Sequence, residues 1–436
     1  NLRQARALNL HYAEHTWGAA ESIGQPLAEM TKAQRTHKDN LAWDGVAHAA
    51  YALGSALEQV NGDPGDFDLA ADGVVAAIYN PTPYDLKGKV LLPPELVQGE
   101  GSTLPSLRMK QQLPFGRREM KRWVELEVPA YARRVVPLPE LLERLAAEEQ
   151  PSEVFAYDAA VGVVTTPQHE LSLDRATGRI SELRSLASGR VRRGGAYGFA
   201  SVVRETLAEG QGNDRAAFSR REGDGDITRW AWNTEWEAAY DTPEDAPVIE
   251  WVPRAQHAIL RRTWTGAIGT ESIVLDLIFY ADRSDIEVDL RLELQTPDTP
   301  LSYYLTLPTD LAEGWTGRYD TAGTSVRLDE DQLDHVSKDW LTTDRYYAAE
   351  DDEHGYLLAS PDIRLVQPNG FRFGRQSQRI ERSASPLHLS WICNNYWTTN
   401  FASRITGTIH AHYLLREYTA FDPQAAHRAG IEAGDP

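Results

Sequence analysis

Two rhythms of apolar and polar positions divide the chain. Toward the N-terminus, Ala42, Val46, Ala49, Ala50, Leu53 and Leu57 recur every three or four residues, and Leu2, Ala5, Leu8 and Tyr12 mark a second stripe. That spacing puts side chains on one face of an α-helix. Between Pro26 and Gln59 there is no further proline, and Pro26 fits the first turn of a long helix, where a missing N–H costs nothing. Neither stripe can be buried alone. Two helices joined by a loop at 16–26 therefore predict part of a bundle.

After the turn-rich stretch Asn61–Asp68 (NGDPGDFD) the rhythm shortens. Val74–Tyr79 and Lys87–Leu92 read as strands, and the latter opens a region interrupted by prolines as far as Pro137. Residues 138–149 (LPELLERLAAEE) read as a short helix or acidic connector. From Val154 onward strands dominate. His169–Leu173, a turn at Asp174–Gly178 and Arg179–Leu183 form one hairpin; Ser272–Tyr280, Asp285–Leu294, Ser302–Leu307 and Arg404–Leu415 are further strands. Glu209–Asp226 is Gly-rich and charged, a surface loop. Strands without long intervening helices predict an all-β sandwich or barrel rather than a parallel βαβ sheet. The expected division is 1–62 helical, 63–150 a small β domain or the first strands of the β region, and 151–436 a large antiparallel sandwich.

Composition narrows the functions. Against 44 Lys and Arg stand 64 Asp and Glu, a net charge of −20. That argues against a nucleic-acid partner, because phosphate binding needs clustered cations. No stretch approaches the roughly 18 apolar residues of a membrane span. The lone Cys393 can form no internal disulfide and reads as a buried, inert thiol. No phosphate-cradling loop and no G-x-S-x-G elbow is present. The 12 Trp and 18 Tyr suit β-sheets and also suit the apolar faces of sugars.

Three patches carry candidate chemistry. In His11–Gly18 (HYAEHTWG), His15 beside Glu14 offers ligand types for zinc, although a helix-capping role is the plainer assignment. Trp17 is either a core anchor or a sugar platform. In Trp391–Phe401 (WICNNYWTTNF), asparagines are unusual for a strand and predict a loop or bulge after Cys393. Their amides can serve sugar hydroxyls or bond their own backbone. Asp331–Arg345 (DQLDHVSKDWLTTDR) reads as a solvated loop.

Together these patches resemble glycoside hydrolase family 38, the α-mannosidases, in its bacterial branch. Glu14-His15-Thr16-Trp17-Gly18 is similar to the start of the family's helical middle domain. Tyr79-Asn80-Pro81 with Lys89–Pro93 is similar to the entry to its β region. Glu170–Ile180, Ile278–Leu294, Asp331–Trp340, Gly355–Gln367 and Asn394–Phe401 follow in the family's order. The resemblance implies a mainly β protein with a small helical bundle at the N-terminus and a large antiparallel, galactose-mutarotase-like supersandwich. It implies a retaining, zinc-dependent exo-glycosidase that cleaves α-mannosides or related glycosides through two carboxylates. The nucleophile is expected in an N-terminal domain outside this chain, so no catalytic residue is assigned here and the chain alone is expected to be inactive. The resemblance further implies His15 as a zinc ligand, though its pair with Glu14 stands in reversed order. It implies Trp17, Asn394, Asn395, Trp397, Thr399 and Asn400 as sugar contacts. His427–Pro436 reads as the lead-in to further strands. The expected setting is the bacterial cytoplasm. The alternatives are a non-catalytic carbohydrate-binding sandwich, another lyase or hydrolase on the same supersandwich, and a structural homo-oligomer.

Overall fold

The structure, a computed structural model, describes residues 1–13, 25, 27–61, 73–91, 123–207, 237–295, 301–334, 336–372, 377–394 and 407–434. Two compact units divide at Glu149/Gln150.

The first unit holds helices α1 (Leu2–Tyr12) and α2 (Glu29–Asn61). They meet at Gly45, where a side chain would collide with Asn9: an added Cβ would lie 2.6 Å from its Oδ1. Lys38 Nζ donates to the His11 carbonyl at 3.0 Å, closing the end of α1. The expected stripe is only half-buried: Ala42, Val46, Ala50 and Leu57 are partly covered, Ala49 and Leu53 are exposed, and the buried residues of α2 are Thr31 and Gly45. Two short ladders follow, β1 (Val75–Tyr79) with β4 (Arg133–Pro137) and β2 (Leu86–Leu91) with β3 (Trp123–Val128). Helix α3 (Leu138–Glu148) buries Leu141 and Leu145 against Val124, Leu126 and Val136. Asn80 organises the turn after β1. Its amide donates to the carbonyls of Tyr84 (2.7 Å) and Val128 (2.9 Å), and its oxygen accepts from Thr82 Oγ1 (2.7 Å).

The second unit is built on three antiparallel sheets. One is a meander of β5 (Ala156–Asp158), β6 (Val163–Thr165), β7 (His169–Leu173), β8 (Ile180–Ser185) and β9 (Val191–Arg193). The six-stranded sheet runs β11 (Ala238–Asp241), β10 (Ser201–Leu207), β16 (Leu301–Pro308), β23 (Leu387–Asn394), β22 (Leu365–Gln367) and β19 (Leu341–Thr342). The nine-stranded sheet runs β12 (Val248–Pro253), β13 (His257–Thr265), β14 (Thr270–Tyr280), β15 (Ile286–Leu294), β24 (Gly407–Tyr418), β21 (Gly355–Ala359), β20 (Tyr346–Glu350), β17 (Thr316–Thr321) and β18 (Thr324–Arg327). The three enclose one core, to which Leu171, Val202, Leu275, Val288, Leu305 and Tyr413 contribute. The chain is thus mostly β with helices at its N-terminus, as expected. No helix among the described residues is long and apolar enough to cross a membrane.

One buried cation pins the sheets together. Arg262 on β13 is fully buried and donates to the carbonyls of Gly178 (2.8 Å), in the β7–β8 turn, and Ala200 (2.9 Å), just before β10. Burial pushes its guanidinium down to about 9.

Two expectations are corrected. Residues 423–434 form helix α4 (Pro423–Gly434), not the approach to a strand. Asp422 caps it through the Gln424 N–H at 2.9 Å. Its small residues Ala426, Ala429 and Ala433 recur at helical spacing and lie on Tyr346, Leu357 and Leu414 of the nine-stranded sheet. The stretch 331–345 is not simply a solvated loop. Lys338 and Asp339 are buried, Lys338 Nζ lies 3.5 Å from Asp329, and Asp339 accepts from the Ser377 N–H.

Candidate functional site

Alternation along the six-stranded sheet decides what each face carries. On β16, Leu301, Tyr303, Leu305 and Leu307 point into the core, so Ser302, Tyr304 and Thr306 point outward. Register places Glu205 of β10 opposite Ser302, and Asn394 of β23 opposite Ser302 on its other side. A register shift sets Tyr303 against Cys393 and Tyr304 against Trp391. Trp391 keeps the outer face in alternation with Leu389, and the irregularity leaves Ile392 in the core and turns Cys393 to the same side. Gln367 of β22 stands opposite Leu389 on the same outer face.

This face has a buried polar floor. Glu205, Ser302, Tyr304, Thr306 and Gln367 are each 0% exposed. The Tyr304 hydroxyl donates to Glu205 at 3.0 Å. Ser302 Oγ, both amide atoms of Gln367 and Trp391 Nε1 are buried without a hydrogen-bond partner. Leaving such a group unpaired costs about 1–3 kcal/mol, so the cluster is an expensive one to maintain. Partly exposed rings frame the floor. Trp391 lies 4.2 Å from Trp340 and stacks at 6.3 Å on Tyr304 (ring-centroid distances). Phe371 meets Tyr240 at 4.0 Å, Tyr304 at 5.2 Å and Tyr197 at 5.4 Å. Hydrogen-bonding groups beneath aromatic faces can hold a hydroxyl-rich ligand.

A second polar cluster sits at the sandwich rim. His354 lies between Asp351 (Nδ1, 3.0 Å) and Asp310 (Nε2, 3.1 Å), and Tyr356 also donates to Asp310. Burial pushes Asp310 up, but the hydrogen bonds from His354 and Tyr356 outweigh it and hold the carboxyl at about 2. Arg190 ion-pairs with Asp310 at 3.4 Å. Every member is answered by another, which suits a structural clamp. A nearby cavity, bordered by Arg192, Leu307 and His388, measures about 30 Å³. That is room for one or two waters and far too little for a sugar ring.

The fold has relatives among glycoside hydrolases. An α-mannosidase from Enterococcus faecalis V583 matches 99% of this chain with a TM-score of 0.53 at 9% identity, over 54% of its own chain. A protein in glycosyl hydrolase family 38 from Enterococcus faecalis matches 99% of this chain, again with a TM-score of 0.53 at 9% identity, over 56% of its own. At that identity the likeness shows the fold alone. The chain spans about half the length of these structures. No family model matches the chain, and no curated protein sequence does.

Of the sugar contacts expected from the sequence, Asn394 lies at the end of β23, beside the polar floor. His15, Trp17, Asn395, Trp397, Thr399 and Asn400 lie outside the described residues. Among the described residues no group of three or more His, Cys, Asp or Glu side chains could hold a metal. Cys393 faces the core side with Tyr303, and desolvation pushes its thiol up to about 12. The structure brings two of the sequence patches together, since Trp340 of the 331–345 stretch packs on Trp391. Sequence reasoning passed over Glu205, Ser302, Tyr304 and Gln367. Only Glu205 carried a signal: in SVVRETL it shares the alternation of Ser201, Val203 and Leu207, all buried.

Proposed function

We propose that this chain is the helical and β-sandwich portion of a family 38-like glycoside hydrolase acting on α-mannosides or related glycosides. The observation that carries this is the fold likeness, which runs over 99% of the chain to two Enterococcus faecalis structures, one described as an α-mannosidase and the other as a family 38 protein. In this reading the complete protein is a retaining exo-enzyme. Such chemistry needs two carboxylates about 5–5.5 Å apart. Among the described residues the six-stranded sheet puts one carboxylate, Glu205, on its polar face. By the family resemblance, hydrolysis belongs to the complete protein, with its nucleophile in the portion that the α-mannosidase has beyond this match. Zinc enters through the resemblance alone, with His15 as its candidate ligand in this chain. The test is release of nitrophenol from p-nitrophenyl α-mannoside by the complete gene product and by this chain. Turnover by the complete product and none by the chain is expected. Turnover by the chain alone would overturn the division of roles, and an inert complete product would overturn the hydrolase reading itself.

A further inference from the structure

We infer that the exposed end of helix α2 is the seat of a helical segment of the complete protein, the stretch that leads into α1 and lengthens it along the same line. This rests on the reading above, in which the complete protein carries a further portion, and it names the surface of this chain that receives it.

The surface is a seam on one face of α2. Ala42, Gly45, Ala49, Leu53, Ala56 and Val60 recur every three or four residues and so form one line along the helix. Helix α1 lies on the early part of that line. Lys38 Nζ reaches the His11 carbonyl, while a Cβ added to Gly45 would meet Asn9 and, at 3.5 Å, the Ala5 carbonyl oxygen. Going back along α1 thus goes forward along α2, and the two helices are antiparallel. Leu2, three residues before Ala5, comes level with the turn after Gly45. Beyond that turn the same line continues uncovered. Leu53 is 62% exposed and Val60 59%, and Ala49 and Ala56 are exposed with them. Leu2, at the matching end of α1, is exposed as well. The far end of α2 is tied down, because the Tyr79 hydroxyl donates to Asn61 Oδ1 at 2.6 Å. The uncovered stretch is therefore held at both ends within one compact unit.

The spacing says what fits there. Ala49, Leu53, Ala56 and Val60 stand four, three and four residues apart, the interval at which two helices interlock along a shared seam. Small residues alternating with larger ones leave hollows for a partner's side chains, as Gly45 already does for α1. The stretch is about 18 Å long at 1.5 Å per residue, so about three turns of helix cover it. A free helix of that length is marginal in water, whereas one that continues α1 needs no new nucleus. A second copy of the chain is the weaker occupant. Four side chains fall short of the roughly 1,200 Å² that a stable interface between separate chains buries. A segment joined to α1 meets the seam at high effective concentration.

The experiment is amide hydrogen exchange of residues 49–60, followed by mass spectrometry in this chain and in the complete gene product. Exchange is expected to be at least about tenfold slower in the complete product, because covering Leu53 and Val60 makes local opening costlier. This chain lengthened by the roughly 12 residues that precede Asn1 in that product should gain the same protection, independent of protein concentration. Leu53→Glu should remove the protection in the lengthened chain and leave exchange unchanged in this one. Equal exchange in the chain and the complete product would overturn the inference. So would a lengthened chain that gains nothing, which assigns the cover to another part of the protein. Protection that this chain acquires by itself on concentration would assign the seam to a second copy and overturn it too. The parent comparison needs no variant, so it decides even where Leu53→Glu fails to fold. The two proposals fail separately. A complete product that is inert on p-nitrophenyl α-mannoside but protected at 49–60 sinks the hydrolase reading alone. An active product whose α2 exchanges as fast as in this chain sinks this inference alone.

Discussion

Two histidines are buried in the sandwich as neutral bases, and they should set its acid limit. His169 on β7 is 1% exposed, its ring lies 6.0 Å from Phe279, and neither nitrogen has a hydrogen-bond partner. Desolvation, and then the positive charge of Arg192, lower it to about 3. His388 on β23 faces the Tyr347 hydroxyl at 3.3 Å and the Trp315 ring, and desolvation lowers it to about 4. In the unfolded chain both titrate near 6.5. The unfolded state therefore binds more protons than the native state below that pH, so stability falls as pH falls. The loss starts near pH 6.5 and ends once each histidine passes its folded value. Its slope approaches about 1.4 kcal/mol per pH unit per histidine. Between pH 6.5 and 4.5 each should cost about 2 kcal/mol, and the pair about 4 kcal/mol. Asp310, held at about 2, contributes its loss mainly below this window. Guanidinium unfolding followed by tryptophan emission, at half-unit steps of pH, measures the slope. His169→Gln and His388→Gln should each remove about half of it. A parent chain equally stable at pH 6.5 and 4.5, or a slope that both variants leave intact, would refute the argument.

Two further outcomes follow from buried groups. Arg262→Met should destabilise the sandwich by about 2–4 kcal/mol, because the carbonyls of Gly178 and Ala200 lose their donors in a dry core; the unfolding midpoint measures it, and a loss below about 0.5 kcal/mol would contradict the clamp. Cys393, pushed up to about 12, should resist Ellman's reagent at pH 8 in the native chain and react at once in guanidinium; fast native labelling would contradict it.

The sequence was most legible where period alone decides structure. The runs SIVLDLIFY and DIEVDLRLEL alternate strongly, and they became the paired strands β14 and β15, with shifts of a residue or two at their ends. It was least legible where a tertiary partner decides. The 423–434 helix is small and weakly apolar, and only the sheet beneath it explains its alanines. The apolar stripe of α2 read as buried from its spacing, but α1 packs at Gly45, because the missing side chain lets the backbones approach. Asn394 was found through its unusual composition. Ser302 and Gln367 were not, since a serine or glutamine in a strand looks like an ordinary solvent-facing residue until its neighbours bury it.

The register irregularity in β23 shows why the polar face could not be read from the sequence. Strict alternation from Leu387 would send Trp391 and Cys393 to one side. The extra residue at Ile392 breaks that rule and puts Trp391 with Tyr304 on the outer face and Cys393 with Tyr303 on the inner. One inserted residue thereby leaves the indole on the outer face and turns the thiol to the core. Its consequence reaches beyond packing. Glu205, Ser302 and Asn394 form one row across three strands, and Tyr304 with Trp391 forms the next. Deleting Ile392 would remove the irregularity and leave Trp391 on the outer face and Cys393 on the inner in strict alternation.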